Sequence, residues 1–141
     1  MTDSTYRSMP AYEKLKTIRP LLLKLHKALL EAEQDSYERV HGPILSKGEL
    51  FQLVIGDEWF DWLRPISKFI ARIDEAIASK EPVSPNQIHA LLEEARDLFP
   101  LETADDSETA VRYQRAVDNY PNIATLHSEM TTLLGLSTAE G

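Results

Sequence analysis

The chain contains no cysteine, few glycines and no long hydrophobic run. The absence of cysteine excludes disulfide bonds, thiolate nucleophiles and cysteine-based metal or iron–sulfur sites. The five glycines are scattered and form no phosphate-binding loop, and the sequence has no nucleophile elbow, HExxH motif or EF-hand loop. No apolar run reaches the ~18 residues of a membrane span, and the beginning MTDSTYRSMP lacks a hydrophobic signal segment. We therefore expect a cytoplasmic protein that does not bind membranes and is not an enzyme.

Basic residues are scarce in the second part of the chain. Residues 1–80 carry 12 basic and 12 acidic side chains, whereas residues 81–141 carry 3 basic and 11 acidic ones, which accounts for the whole net charge of −8. An acidic surface repels a phosphate backbone, so we expect no binding of nucleic acid. The only basic stretch runs from Lys14 to Lys27 and is interpreted as the solvated face of a helix.

Length and composition fit one folded domain. The chain has 141 residues, of which 43% are hydrophobic and 27% are charged, and these values are ordinary for a globular protein. A chain of this size buries roughly 70% of the surface that its unfolded form exposes, which suffices for a core without disulfides. We predict a single helical domain over residues 1–141, with residues 1–9 and 136–141 as flexible ends.

Apolar residues recur at helical spacing along most of the chain, and no segment alternates with a period of two. This spacing predicts an all-α, up-and-down helical bundle of four main helices at 11–40, 57–79, 85–99 and 107–135, the last broken at Pro121. A short corner helix is expected at 47–55. The stretches SKGE and SPNQ begin with a serine that can cap a helix, which supports two of these starts. Pro20 either kinks the first helix or separates a short helix from a longer one.

The stretch DEWFDWLRP, residues 57–65, contains both tryptophans. With Asp57 as N-cap, an α-helical wheel places Trp59 and Trp62 on the buried side and the charged residues between them toward solvent. The stretch is therefore interpreted mainly as core. We expect near-complete burial of a seam that consists of Leu22, Leu25, Leu29, Trp59, Leu63, Ile66, Ile70 and Ile73.

Phe60 lies outside this seam on the same wheel, beside Arg64 one turn further on. The favoured interpretation is that Phe60 covers the short helix at the Gly56 corner. The alternative is an interaction patch of Phe60, Arg64 and Lys68, in which Phe60 is an exposed anchor, because aromatic residues are enriched at binding hot spots.

Glu33 falls on the apolar side of the first helix, where an ionised carboxylate needs a partner. His26 and Tyr37 lie on the same flank of that helix, and His127 lies at the edge of the apolar face of the last one. If these helices are neighbours, the four residues form a candidate polar cluster or ligand-binding site.

An arginine is the expected partner of Glu33, and Arg72 and Arg112 are the candidates. A ferritin-like metal site needs several Glu-x-x-His pairs on facing helices. Here the only such spacing runs from Glu38 to His41, and the chain has four histidines in all. We therefore predict neither a metal ion nor a cofactor.

Four motifs, LHKALL, YERVHG, GELFQLVI and WFDWLRPIS, resemble those of an uncharacterised family of small bacterial all-helical proteins. The similarity covers about residues 21–76. The resemblance implies a cytoplasmic helical bundle and supplies no catalytic residues.

The sequence favours a helical interaction or scaffold protein, because its pattern serves packing and shows no convergent set of reactive groups. Such a protein binds a protein partner or associates with itself. The alternative is a small-ligand or metal-binding helical bundle that uses the buried Glu and His cluster.

Overall fold

The computed structural model describes residues 10–78, 83–98 and 108–135, and all regular structure in these ranges is helical. It contains α1 (Pro10–His41), α2 (Lys47–Gly56), a 3₁₀ helix (Glu58–Leu63), α3 (Arg64–Ala78), α4 (Pro85–Leu98), α5 (Glu108–Asn119) and α6 (Pro121–Leu134). No strand occurs in the described residues, which confirms the all-α class. None of these helices combines the length and the apolar character that crossing a membrane requires. The predicted flexible ends, 1–9 and 136–141, lie outside the described residues.

The helix α1 is the element on which most others pack. Its 32 residues make it about 48 Å long, and α3, α4, α6 and the 3₁₀ helix all contact it. The helix runs through Pro20 without a break, so no separate short helix forms. Its buried face repeats every three or four positions and consists of Leu15, Ile18, Leu22, Leu25 and Leu29, each at most 1% exposed.

Side-chain caps set helix starts where the sequence predicts them. The Ser84 hydroxyl accepts a hydrogen bond from the Gln87 N–H at 3.1 Å, and the Gln87 side-chain oxygen accepts one from the Ser84 N–H at 2.9 Å. This reciprocal pair satisfies two amides that the helix itself leaves free. Ser46 caps α2 in the same way by accepting from the Glu49 N–H at 3.0 Å. The predicted break at Pro121 is also present, since α5 ends at Asn119 and α6 begins at Pro121.

Residues 58–63 form a 3₁₀ helix instead of the first turns of the predicted α-helix. Pro65 has no N–H to donate to the Asp61 carbonyl, which accepts instead from the N–H of Arg64, three residues further on. A 3₁₀ helix has three residues per turn, so residues i and i+3 share a face. Phe60 and Leu63 therefore point together into the core, with exposures of 1% and 3%.

This change of helix type decides between the two interpretations of Phe60 and corrects the expectation for Trp59. Phe60 is a core residue, which agrees with the favoured structural interpretation, so the exposed anchor of the alternative is not present. Trp59, predicted to be nearly fully buried, is only partly buried and packs against the edge of the core, whereas Trp62 is buried. The remaining residues of the predicted seam are buried: Leu22, Leu25, Leu29, Leu63, Ile66, Ile70 and Ile73.

Replacement of Leu25 by alanine is expected to lower the free energy of unfolding by about 2 to 5 kcal/mol, because apolar contacts are lost and a cavity remains. Leu23 lies on the same helix and is 40% exposed, so Leu23→Ala is the matched control. The control should change the stability by less than about 0.5 kcal/mol. Urea unfolding of both variants measures the difference. Equal losses would show that the buried face of α1 is assigned wrongly.

Candidate functional site

Glu33 is buried on α1 and faces Arg112 of α5, which confirms an arginine as its partner. The two side chains are 11% and 18% exposed, and Glu33 Oε1 lies 3.5 Å from Arg112 Nη1. The same nitrogen donates a hydrogen bond of 2.6 Å to the Trp59 carbonyl, and the guanidinium lies 5.2 Å from the centre of the Trp59 ring. Arg112 thus joins α5 to α1 and to the 3₁₀ helix. The other candidate arginine, Arg72, pairs with Glu94 instead.

Burial controls the electrostatics of this pair. The pKa of Glu33 is raised above its ordinary value because burial disfavours the charged carboxylate. The attraction of Arg112 and the nearby indole N–H groups of Trp62 and Trp59 lower the pKa, but they do not cancel that rise. Both indole nitrogens are buried and make no hydrogen bond of regular geometry within the described residues. The carboxylate is therefore paired yet poorly solvated.

Tyr37 reaches the neighbourhood of this pair through Trp59. Its ring centre lies 5.6 Å from that of Trp59 in an edge-to-face arrangement and 4.4 Å from that of His41. The His41 ring lies 5.6 Å from Trp59 as well. Arg112, the partner of Glu33, stacks on the same indole, so Trp59 lies between Tyr37 and the Glu33–Arg112 pair. Tyr37, His41 and Trp59 form an aromatic cluster at the C-terminal end of α1.

The two histidines of the predicted cluster have different surroundings. His127 on α6 shares a hydrogen bond of 2.7 Å with the Tyr113 hydroxyl on α5. His26 is half-buried on α1, about two turns before Glu33, and burial lowers its pKa because the charged imidazolium is disfavoured. Among the described residues, no group of three or more His, Asp or Glu side chains is placed to hold a metal ion.

A cleft of about 660 Å³ opens beside the Glu33–Arg112 pair. Two of its carboxylates are engaged within the protein. Asp57 accepts from the Trp59 N–H at 2.8 Å, and Asp61 pairs with Arg64 at 2.8 Å. The residues that line the cleft include Trp59, Trp62, Arg112, Asp57, Glu58 and Asp61.

With Phe60 buried, the predicted interaction patch lacks its apolar member. Arg64 is occupied internally, because besides Asp61 it binds the Ile55 carbonyl through Nη2 at 3.1 Å. Lys68 is exposed on α3. Arg64 therefore attaches the end of α2 to the 3₁₀ helix, and its position does not favour an interaction patch centred on Phe60.

Exposed apolar side chains are concentrated around α2. The described residues include six large apolar side chains that are exposed, and four of these fall within residues 40–55. No residue of α2 is buried, although Leu53 and Val54 pack partly against the core. Where exposed apolar residues form a contiguous patch, that patch is typical of an interaction surface. We call the four side chains the corner surface: Val40 (65% exposed), Leu45 (83%), Phe51 (61%) and Ile55 (53%).

Hydrogen bonds hold the backbone of this corner in place. The Glu38 carboxylate accepts from the Ile44 N–H at 2.8 Å, and the Glu49 carboxylate accepts from the Leu45 N–H at 3.0 Å. Gly42 has a φ of 92°, a left-handed conformation that glycine adopts without strain, and this turns the chain away from α1. A surface fixed in this way loses little conformational entropy when it binds.

The sequence contains a signal for this surface. The stretch LFQLVI, residues 50–55, is apolar around most of a short helix, and only one side of such a helix can pack against the core. The assumption of a continuous α-helix through Phe60 placed the patch on the following segment instead.

Comparisons of the chain with protein-family models, with curated proteins and with solved structures gave no match. The resemblance to small bacterial helical proteins stays a prediction. Function is therefore inferred from the geometry of the chain's own residues.

Glu33→Leu is expected to lower the free energy of unfolding more than Glu33→Gln. Removal of one partner from a buried ion pair costs about 3 to 5 kcal/mol, because the remaining charge loses its compensation. Glutamine keeps an oxygen beside Arg112, whereas leucine offers none. Urea unfolding of both variants at neutral pH measures the order. A leucine variant as stable as the glutamine variant would show that the carboxylate contributes nothing to the position of Arg112.

The raised pKa of Glu33 predicts a dependence of stability on pH. Where the folded-state pKa exceeds the unfolded one, the folded protein keeps a proton that the unfolded chain has lost, so stability falls as pH rises. The stability of the wild type relative to Glu33→Gln should therefore decrease from about pH 4.5 upward, until Glu33 is ionised in both states. Unfolding titrations at several pH values measure this difference. A relative stability that rises with pH would show that the attraction of Arg112 outweighs burial.

Proposed function

We propose that the chain is a non-enzymatic helical interaction protein that binds a protein surface through the corner surface. The observation that carries this proposal is the exposure of Val40, Leu45, Phe51 and Ile55, each more than half accessible, on a corner fixed by hydrogen bonds. Burial of such side chains against a partner is favourable by about 25 cal/mol per Å² of apolar surface. None of these four side chains packs against the hydrophobic core that the described residues form.

The spacing on α2 supports this proposal. Phe51 and Ile55 are one turn apart and both are exposed, which is the spacing with which a helix presents apolar anchors to a groove or to another helix. Aromatic anchors such as Phe51 supply large contact areas at interfaces.

The proposal includes the architecture and location that the sequence favours. The up-and-down bundle has four main units. The first is α1, the second is the 3₁₀ helix together with α3, the third is α4, and the fourth is α5 together with α6. The packing of α3, α4 and α6 on α1 supports this grouping. A cytoplasmic location and a place in the bacterial helical family belong to the same proposal. Protein is the expected partner rather than nucleic acid, because residues 81–141 carry the acidic surplus.

A small-ligand site is the second candidate, and the cleft beside Trp59 and Trp62 favours it. Its volume of about 660 Å³ lies in the range of small-molecule sites. Three of its polar side chains, however, already serve the fold, since Asp57 caps the 3₁₀ helix, Asp61 pairs with Arg64 and Arg112 binds Glu33 and Trp59. This candidate therefore ranks below protein interaction.

Site-specific photo-crosslinking tests the interaction function. A benzophenone amino acid placed at residue 51 should yield crosslinked protein adducts in cells that produce the chain, because the side chain is expected to lie in a contact. The matched control is residue 111, since Val111 is an exposed apolar residue on α5, outside the corner surface. Absence of adducts from residue 51, or equal yields from both positions, would overturn the proposal.

A further inference from the structure

Two exposed charges of opposite sign flank α2. Lys47 is its first residue, and Glu58 lies two positions after its last. The N-terminus of a helix is partly positive, so Lys47 stands at the unfavourable end of α2, whereas Glu58 also begins the 3₁₀ helix, where a negative charge is favourable. Glu49 in the first turn offsets part of this at the start. Within the described chain Lys47 makes no ion pair, and a partner that brings a negative group to it would relieve the conflict.

The exposed face of α2 has the residue spacing with which two helices pack together. Its members Lys47, Gly48, Phe51, Gln52 and Ile55 recur at intervals of one, three and four and are all exposed. A Cβ added at Gly48 would meet only the Ser46 hydroxyl, at 3.9 Å, so the space above this glycine is open to a close approach. The face thus has two apolar side chains toward its C-terminal end and a cation at its N-terminal end.

We propose that the occupant of this face is a second copy of the chain, an inference that rests on the proposed function of the corner surface. A two-fold axis sets the two α2 helices antiparallel, so every contact occurs twice. Phe51 of each copy packs against Ile55 of the other. Lys47 of each copy approaches the C-terminal end of the other α2, where Glu58 stands. Each cation then meets both a carboxylate and the negative end of a helix dipole.

Charge complementarity favours a second copy as the occupant. Lys47 at the start of α2 and Glu58 after its end are both exposed, and they have opposite signs. Two copies in the antiparallel arrangement bring each of these cations to a carboxylate of the other copy.

Sedimentation equilibrium of the full chain tests the apolar part of the contact. The wild type should shift from one to two chain masses as its concentration rises, and Phe51→Ser should remain a monomer. Val111→Ser is the matched control, because Val111 is 48% exposed on α5, and it should dimerise like the wild type. At concentrations too low for dimerisation, all three proteins should melt at similar temperatures, since neither side chain is buried in the monomer. Equal dimerisation of Phe51→Ser would overturn the proposal.

Charge reversal tests the antiparallel arrangement. Lys47→Glu and Glu58→Lys each create two like-charge contacts, and each alone should weaken the dimer about tenfold or more. An equimolar mixture of the two variants should associate again, because every contact between unlike chains then joins opposite charges. The double variant should also dimerise. Failure of the mixture to associate would overturn the antiparallel contact.

The two proposals fail in different ways. A wild type that stays monomeric up to about 100 μM, where a pair of micromolar affinity is largely associated, overturns the second copy as occupant. If residue 51 then crosslinks to a different protein, the interaction function stands and only the identity of the partner is wrong. If residue 51 crosslinks to nothing, both proposals fail.

Discussion

The buried carboxylate of Glu33 constrains how the last helices attach to the first. An ionised group on the apolar face of α1 needs a compensating charge nearby, and Arg112 supplies it from α5 while its guanidinium also binds the Trp59 carbonyl. A rotation of α5 by one residue would turn Arg112 away by about 100°. Apolar side chains tolerate such slips more easily, since their contacts have no direction. We expect the ion pair, rather than the apolar contacts around it, to select the register of α5.

Structural features that depend on residues close together in the sequence can be predicted from the sequence. Helical spacing placed the helices within a few residues of their observed bounds, because burial of one face imposes the period. Caps such as Ser84 with Gln87 involve residues three positions apart, so the sequence displays both partners. The need of Glu33 for an arginine also followed from its position on α1. The sequence does not predict which arginine pairs with Glu33, because only the tertiary arrangement decides between Arg72 and Arg112.

The candidate site was harder to predict because it depends on a local change of helix type. The Phe60 N–H bonds the Asp57 carbonyl and the Arg64 N–H bonds the Asp61 carbonyl, and in this 3₁₀ geometry Phe60 lies in the core. An α-helical wheel applied to the same residues places Phe60 outside the buried seam. That wheel leaves an exposed Phe60 open as an alternative to a structural one, whereas the exposed Phe51 and Ile55 lie on the helix before it. The pattern of the last helix alone indicates that His127 lies at the edge of its apolar face, whereas its hydrogen bond with Tyr113 depends on the tertiary arrangement.

The corner surface and the buried pair are linked by one path of contacts. The helix α2 has no buried residue, and its orientation depends on its caps, on the partial packing of Leu53 and Val54 against the core and on the hydrogen bond from Arg64 to the Ile55 carbonyl. Arg64 begins α3 directly after the 3₁₀ helix, and Arg112 holds that helix through the Trp59 carbonyl. The position of the exposed Phe51 and Ile55 thus depends in part on polar contacts that lead back to Glu33. Such an arrangement holds α2 in one orientation while these two apolar side chains stay exposed.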